Sequence, residues 1–239
     1  MLDIGLASTD LMYFASGSLG CPGAMFTASH NPAGYNGIKM CLSHAKPIGQ
    51  ESGLADIKRV ALDGAPPADR RGTRSHDDLL GAFADHVLGF ISLDGLRPLK
   101  VVADTANGMG GLVVPAVFAS LPFELEIMYE ELDGTFPNHP ADPLNVDNLR
   151  DLQARVVATG ADIGLAFDGD ADRVFLVDDK AQPVSGSLTT ALLAKAILAE
   201  NPGESIIHNL ICSRSVPETV RQLGGHLFDP GLVIRSSSN

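Results

Sequence analysis

The chain has 239 residues, of which 45% are hydrophobic and 19% charged, a composition typical of globular proteins and not of disordered chains. Its 29 acidic residues outnumber its 17 basic residues, and the net charge of −12 argues against a general nucleic-acid binder, because a phosphate backbone requires a basic surface. No apolar run could cross a bilayer, no basic signal segment stands at the start, and three cysteines without metal-ligand spacing favour reduced thiols, so we expect a cytoplasmic protein without nucleic-acid or membrane partners.

Residues 1–76 predict a turn-rich first domain. In chain order they contain an apolar stretch at 4–7, a glycine-rich region, a loop at 27–37, a strand at 38–41 and a helix at 51–62. The run at 64–73 is rich in Gly and Pro and is typical of a surface connection.

Residues 77–182 alternate between helix-like and strand-like segments. Helices are predicted at 77–90, 112–120 and 146–159, and strands at 100–104, 123–128, 163–167 and 174–177. This alternation predicts a three-layer α/β/α domain around a mixed, mostly parallel sheet. A third segment, 183–239, adds a helix at 187–199, a strand at 205–210 and a helix at 216–223, which is too little to bury a sheet face.

Three carboxylates stand at alternate positions just after the strand at 163–167. Asp168, Asp170 and Asp172 can direct their oxygens to one hard cation such as Mg²⁺, and Arg173 can bind phosphate. An EF-hand is excluded because Arg173 stands where that loop needs glycine, and because strands, not helices, flank the motif. A solvated acidic loop and a haloacid-dehalogenase-type phosphatase with Asp168 as nucleophile remain as alternatives.

A second polar motif occupies the loop at 27–37. Ser29, His30 and Asn31 precede a proline, and Lys39 follows in the predicted strand. A serine exposed in a turn can accept or carry a phosphoryl group, although the same residues are also ordinary turn formers. A serine that carries phosphate and a carboxylate loop that holds Mg²⁺ against it are complementary parts.

At these motifs the sequence resembles the α-D-phosphohexomutase family, of the bacterial phosphomannomutase/phosphoglucomutase type. The matching stretches are Thr-Ala-Ser-His-Asn-Pro at 27–32, Asn-Gly-Ile-Lys at 36–39 and Asp-Gly-Asp-Ala-Asp-Arg at 168–173, with further similarity at 101–108 and 136–140. The resemblance extends to about residue 226 and implies part of domain I at 1–76, a complete domain II at 77–182 and the start of domain III from 183.

The resemblance also implies a site and a reaction. Ser29 would be the phosphoserine, and its phosphate would join the three aspartates as a ligand of one Mg²⁺. His30 and Lys39 would be candidates for proton transfer, and Arg173 would line the transfer site. Phosphate would move between Ser29 and a hexose 1- or 6-phosphate through a glucose or mannose 1,6-bisphosphate, which also activates the enzyme.

The family's sugar-binding and distal phosphate-binding loops are not found in this sequence, so we expect an impaired or non-catalytic fragment whose hexose preference is open. From about Leu227 the chain also departs from the family pattern. A DNA coding for the family peptide Gly-His-Ser-Phe-Ile-Lys-Gln, read one base later, can give Val-Ile-Arg-Ser-Ser-Ser, which is the sequence at 233–238. We therefore expect an out-of-frame, unpacked tail. An unrelated tail is the alternative.

Two further features are expected to be structural. The turn at 105–111 contains glycines but not the G-x-G-x-x-G spacing of a dinucleotide loop. His139 stands between two prolines and is expected to be a loop residue and not a ligand.

Overall fold

A computed structural model describes residues 1–65 and 69–228. Its α-helices are α1 (Thr9–Leu19), α2 (Ala55–Asp63), α3 (Leu80–Leu88), α4 (Gly110–Phe118), α5 (Arg150–Thr159), α6 (Gly186–Glu200) and α7 (Ser215–Gln222). Within the described ranges, none of the helices combines the length and the apolar character needed to cross a membrane.

The strands form four sheets. They are β1 (Leu2–Asp3), β2 (Gly23–Phe26), β3 (Ile38–Leu42), β4 (Lys46–Pro47), β5 (Ser75–His76), β6 (Lys100–Asp104), β7 (Glu124–Met128), β8 (Ile163–Phe167), β9 (Val174–Asp178), β10 (Pro183–Val184), β11 (Ser205–Ile207) and β12 (His226–Phe228). The orders are β1-β5, β2-β3-β4, β10-β9-β8-β6-β7 and β11-β12. The predicted mixed α/β class is confirmed.

The five-stranded sheet is the best-packed part of the molecule. The interior strand β6 pairs in parallel with β7 and β8, whereas β9 and β10 extend the sheet beyond β8 in antiparallel fashion. Leu152 and Val156 of α5 are fully buried against a cluster that includes Val102. A Cβ on Gly164 would lie 2.9 Å from the Val156 side chain, so glycine allows α5 to approach β8 closely.

A helix that sequence patterning missed joins the N-terminal region to this sheet. Ser8 caps the start of α1 by accepting a hydrogen bond from the Leu11 amide, and Gly20 ends the helix with a φ of +62°. Leu11 packs with Phe83 of α3 and Val113 of α4. Strand β2 was also missed, and it pairs with β3 in antiparallel fashion.

The C-terminal region is small. Helices α6 and α7 pack through Ala194, Leu198 and Val220, beside the parallel pair β11 and β12. Strand β12 was not predicted, and its Leu227 is partly buried against this cluster, so packing continues beyond the expected start of the tail. Most of the predicted out-of-frame tail, residues 229–239, lies outside the described residues, as do residues 66–68.

Candidate active site

The aspartate loop, residues 168–173, connects β8 to β9 at the carboxyl end of a strand that is parallel to β6. It closes on itself, because the Asp168 amide donates to the Arg173 carbonyl at 3.2 Å and the Arg173 amide donates to Asp168 Oδ1 at 3.1 Å. Asp168 and Asp170 are 0% and 2% exposed. A loop that follows a buried strand therefore holds two carboxylates away from solvent, as expected for ligand sites in such sheets.

The three predicted carboxylates converge. One oxygen from each of Asp168, Asp170 and Asp172 lies within 4.8 Å of the others. Asp170 Oδ1 is buried and is the one side-chain oxygen or nitrogen among the described residues that is buried without a hydrogen-bond partner. A buried carboxylate oxygen without a partner is unfavourable unless a cation or water completes it. This donor set fits Mg²⁺, which prefers a few carboxylate oxygens.

Arg173 supplies the positive charge beside Asp168. Its Nε and Nη2 donate to Asp168 Oδ2 at 2.9 and 2.6 Å. Burial raises the pKa of Asp168, and this outweighs the hydrogen bonds from Arg173 and Ser29, which lower it, so the pKa lies above its ordinary value. Asp168 is thus a buried carboxylate whose ionised form is stabilised by the neighbouring Arg173 guanidinium.

Lys39 supplies the second positive charge. Its Nζ donates to Asp170 Oδ2 at 2.7 Å and to Asp172 Oδ2 at 2.5 Å. Burial raises the pKa of Asp170, but hydrogen bonds from Lys39 and two hydroxyls outweigh burial and hold this pKa below its ordinary value. Burial lowers the pKa of Lys39, and the two carboxylates outweigh that effect and raise it. Each partner therefore stabilises the charged form of the other.

The serine loop, residues 27–37, joins β2 to β3 and brings Ser29 to the aspartate loop. The Thr27 amide donates to the Gly37 carbonyl at 3.0 Å and closes the loop. Ser29 Oγ donates to Asp168 Oδ2 at 2.9 Å and accepts from Arg173 Nη2 at 2.7 Å. The φ of Ser29 is +54°, a conformation unusual for a non-glycine residue and frequent at functional positions.

His30 lies beside the same hydroxyl. Its Nδ1 is 3.4 Å from Ser29 Oγ and is also contacted by Arg173 Nη2. All seven residues predicted for the site therefore meet in one place, although the contacts between their two segments span 131 to 144 positions of the chain.

Backbone approaches between the loops require glycine. A Cβ on Gly169 would lie 2.4 Å from the Ser29 carbonyl oxygen, and one on Gly108 would lie 2.6 Å from the Gly169 carbonyl oxygen. The Met109 amide donates to that Gly169 carbonyl at 2.9 Å. The predicted structural turn at 105–111 thus supports the aspartate loop from behind.

Sequence reasoning missed two hydroxyls in the site. Thr9 and Thr27 both donate to Asp170 Oδ2, at 2.8 and 2.9 Å. Thr27 was noted only as part of the serine motif. Thr9 follows the capping residue Ser8, and that start of a helix is the signal that could have drawn attention to it.

His139 is a loop residue as predicted, and it is also half of an ion pair outside the site. Its Nε2 lies 3.0 Å from Asp104 Oδ2 and its Nδ1 lies 3.0 Å from the Pro140 carbonyl oxygen. Because both partners can only accept, both ring nitrogens carry protons. Burial lowers the pKa of His139, but the hydrogen bond to Asp104 outweighs it and raises the pKa above 6.5.

A cleft of about 1010 Å³ opens beside Ser29 and Asp170. Its lining includes Met25, Phe26 and Tyr35 from the serine side and Phe136 from the loop after β7. None of the described residues that line it is Lys or Arg.

Two models of one protein family match this sequence. The model of phosphoglucomutase/phosphomannomutase α/β/α domain I matches residues 1–63, and the model of α/β/α domain II matches residues 82–182.

Curated relatives carry names of the same kind. The chain is 41% identical over 234 residues to a phosphomannomutase of Escherichia coli strain K12, with 94% of this chain and 51% of the relative covered. It is 36% identical over 226 residues to a phosphoglucomutase of Neisseria gonorrhoeae, with 94% of this chain and 48% of the relative covered. The chain thus spans about half the length of these relatives.

Solved structures have the same fold. A phosphoglucomutase/phosphomannomutase family protein from Burkholderia thailandensis is similar with a TM-score of 0.84 and 33% identity, covering 98% of this chain and 53% of that one. A protein from Thermus thermophilus, named "putative phosphomannomutase", is similar with a TM-score of 0.79 and 25% identity, covering 95% of this chain and 52% of that one.

Proposed function

Since the chain belongs to the phosphoglucomutase/phosphomannomutase family, we propose that it carries the phosphoryl-transfer centre of a phosphohexomutase. In this proposal Ser29 holds the phosphoryl group that is exchanged with a hexose 1- or 6-phosphate, through a hexose 1,6-bisphosphate. The observation that carries the proposal is the hydrogen bond of 2.9 Å from Ser29 Oγ to Asp168, inside the carboxylate cluster.

The roles of the chain's own groups follow from their contacts. Arg173 touches both Ser29 Oγ and Asp168, so its planar guanidinium can hold the phosphoryl oxygens in line with the serine oxygen. His30 Nδ1 lies near enough to the Ser29 hydroxyl to exchange a proton with it when phosphate returns to the serine. Lys39 is held as an ammonium ion by two carboxylates that raise its pKa, so it contributes positive charge to the centre and does not readily release a proton.

Asp168, Asp170 and Asp172, together with the phosphate on Ser29, would hold Mg²⁺. When bound, this ion would neutralise the negative charge of the phosphoryl group during transfer. The orphaned Asp170 Oδ1 and the three converging oxygens support this assignment.

The alternative of a phosphatase with Asp168 as nucleophile has less support. A nucleophilic carboxylate needs an oxygen that can reach phosphorus. Asp168 is fully buried, its Oδ1 accepts from the Arg173 amide, and its Oδ2 accepts from Ser29 and the Arg173 side chain.

We further propose that the chain divides at about residues 76 and 182, and that it turns over hexose phosphates weakly on its own. The first point is supported by the separate matches to domains I and II. The second is supported by the cleft beside Ser29, because the described side chains that line it include no Lys or Arg to hold a second phosphate.

The test is incorporation of phosphate into Ser29. The purified chain is incubated with Mg²⁺ and glucose or mannose 1,6-bisphosphate, and intact-protein and peptide mass spectrometry locate the added phosphate. We expect phosphorylation at Ser29, abolished in Ser29→Ala and strongly reduced in Asp168→Asn, with only slow interconversion of hexose phosphates by phosphorus NMR.

The exposed serine variant Ser52→Ala is the matched control and is expected to behave as the wild type. Release of inorganic phosphate from hexose phosphates with Ser29 left unmodified would overturn the mutase proposal in favour of a phosphatase.

A further inference from the structure

We propose that Thr9 and Thr27 are positioning residues that fix the Asp170 carboxylate so that Oδ1 faces the cation. The inference rests on the proposed metal centre and adds to it a pair of residues that bind neither metal nor substrate. The two oxygens of the Asp170 carboxylate have different surroundings. Oδ2 accepts three hydrogen bonds, whereas Oδ1 is buried and accepts none.

Thr9 holds Asp170 from the start of α1. Its amide donates to the Asp170 carbonyl at 3.0 Å and its Oγ1 donates to Oδ2 at 2.8 Å. The residue is 1% exposed, so no water competes for these contacts. Lys39 Nζ lies 3.1 Å from Thr9 Oγ1 and can only donate to it. The single hydroxyl proton of Thr9 therefore goes to Asp170 Oδ2, which is nearer and a stronger acceptor than Met25 Sδ at 3.5 Å.

Thr27 holds the same oxygen from the serine loop. Its Oγ1 accepts from the Ser29 amide at 2.9 Å and lies 2.9 Å from Asp170 Oδ2. Because the amide can only donate, the hydroxyl proton of Thr27 is also directed to the carboxylate. A short chain of hydrogen bonds thus connects the backbone of the proposed nucleophile with a proposed metal ligand.

Together these contacts fix the orientation of the carboxylate plane. A half-turn would only exchange two equivalent oxygens, but tilting the plane to another angle would break hydrogen bonds from Thr9, Thr27 and Lys39. Outer partners of this kind orient metal ligands, and their loss typically weakens metal binding by about 10–100-fold.

The test compares cation affinity in valine and serine variants. Thr9→Val and Thr27→Val keep the shape of the side chain and remove the hydroxyl, whereas Thr9→Ser and Thr27→Ser keep the hydroxyl. Dissociation constants are measured for Mg²⁺ by calorimetry and for Mn²⁺ by electron paramagnetic resonance. We expect the valine variants to bind about 10–100-fold more weakly and the serine variants to recover most of the affinity.

Ser16→Ala is the control, because Ser16 is 1% exposed and its hydroxyl donates to the Cys21 carbonyl at 2.6 Å, away from the carboxylates. It should lower the melting temperature without changing cation affinity. If Thr9→Val does not fold, the more exposed Thr27→Val still decides the matter.

A wild-type chain that binds the cations, with a folded Thr27→Val that binds them equally well, would overturn the inference and leave the proposed function intact. A wild-type chain that binds neither cation would overturn both.

Discussion

The two loops of the site rest on very different supports. The aspartate loop leaves a five-stranded sheet in which β6, the neighbour of β8, is almost completely buried, whereas the serine loop connects β2 and β3 in a three-stranded sheet. In that smaller sheet Phe26 and Ile38, the pair next to the loop, are 85% and 54% exposed. The aspartate loop thus follows a strand of a hydrophobic core, whereas Ser29 is held by polar contacts that reach across to that loop.

The position of Ser29 is fixed by polar contacts with Asp168, Arg173 and the hydroxyl of Thr27. The geometry of the serine loop therefore depends on the aspartate loop more than on its own sheet.

The largest loss of stability is expected from a substitution in the core of the five-stranded sheet. Leu152→Ala removes a fully buried side chain of α5 and should lower the free energy of unfolding by about 2–5 kcal/mol, as measured by urea denaturation followed by circular dichroism. Phe26→Ala on the smaller sheet removes a larger but exposed side chain and should change it by no more than about 0.5 kcal/mol. Equal losses for the two variants would refute the contrast.

An intermediate effect is expected where the two loops touch. Gly169→Ala places a Cβ against the Ser29 carbonyl oxygen, and such overpacking should destabilise the protein by about 1–3 kcal/mol and lower phosphorylation of Ser29. The control is Gly81→Ala in α3, where an added Cβ meets nothing within 4 Å. That variant should stabilise by about 0.5–1 kcal/mol. A fully stable, fully phosphorylated Gly169→Ala would show that the loops are placed independently.

The smallest change expected is a dependence of the free energy of unfolding on pH, and it comes from His139. His139 is packed against Tyr129 and faces Asp104, with Asp151 adding negative charge. Since its pKa in the folded state lies above the ordinary value of 6.5, its stabilising effect is complete below about pH 6.5 and is lost as the pH rises through the folded-state pKa.

The measurement is the difference in unfolding free energy between the wild type and His139→Gln, determined from pH 5.5 to 9. The difference should shrink toward alkaline pH, and histidine NMR should report a pKa above 6.5 for His139. A difference that grows with pH would contradict the ion pair with Asp104.

The strands that surround the aspartate loop were predictable because buried apolar runs end directly at Asp168 and Asp104. The seven site residues followed from two compact motifs. Thr9 could not be found in this way, because its partner Asp170 is 161 positions away and a single threonine carries no motif. Helix α1 was not predicted because Gly17 and Gly20 made the segment resemble a glycine-rich loop. In the structure Ser8 and Gly20 are the caps of this helix.

The short strands were missed for a different reason. Strands β2 and β12 have four and three residues, too few for an alternating pattern to stand out. The out-of-frame origin of the tail from about Leu227 stays a prediction, since residues 229–239 lie outside the described residues.

The pairing of Lys39 and Arg173 with the aspartates has a consequence for how the protein is assembled. In small zinc domains, the free energy of binding the metal is the free energy of folding. Here two of the three negative charges are balanced by cations of the chain itself. The loops of the centre are therefore held together by the chain's own groups, and an ion would add a partner for Asp170 Oδ1. Folding and metal binding then become separate events. A chelator should therefore remove the ion without unfolding the protein.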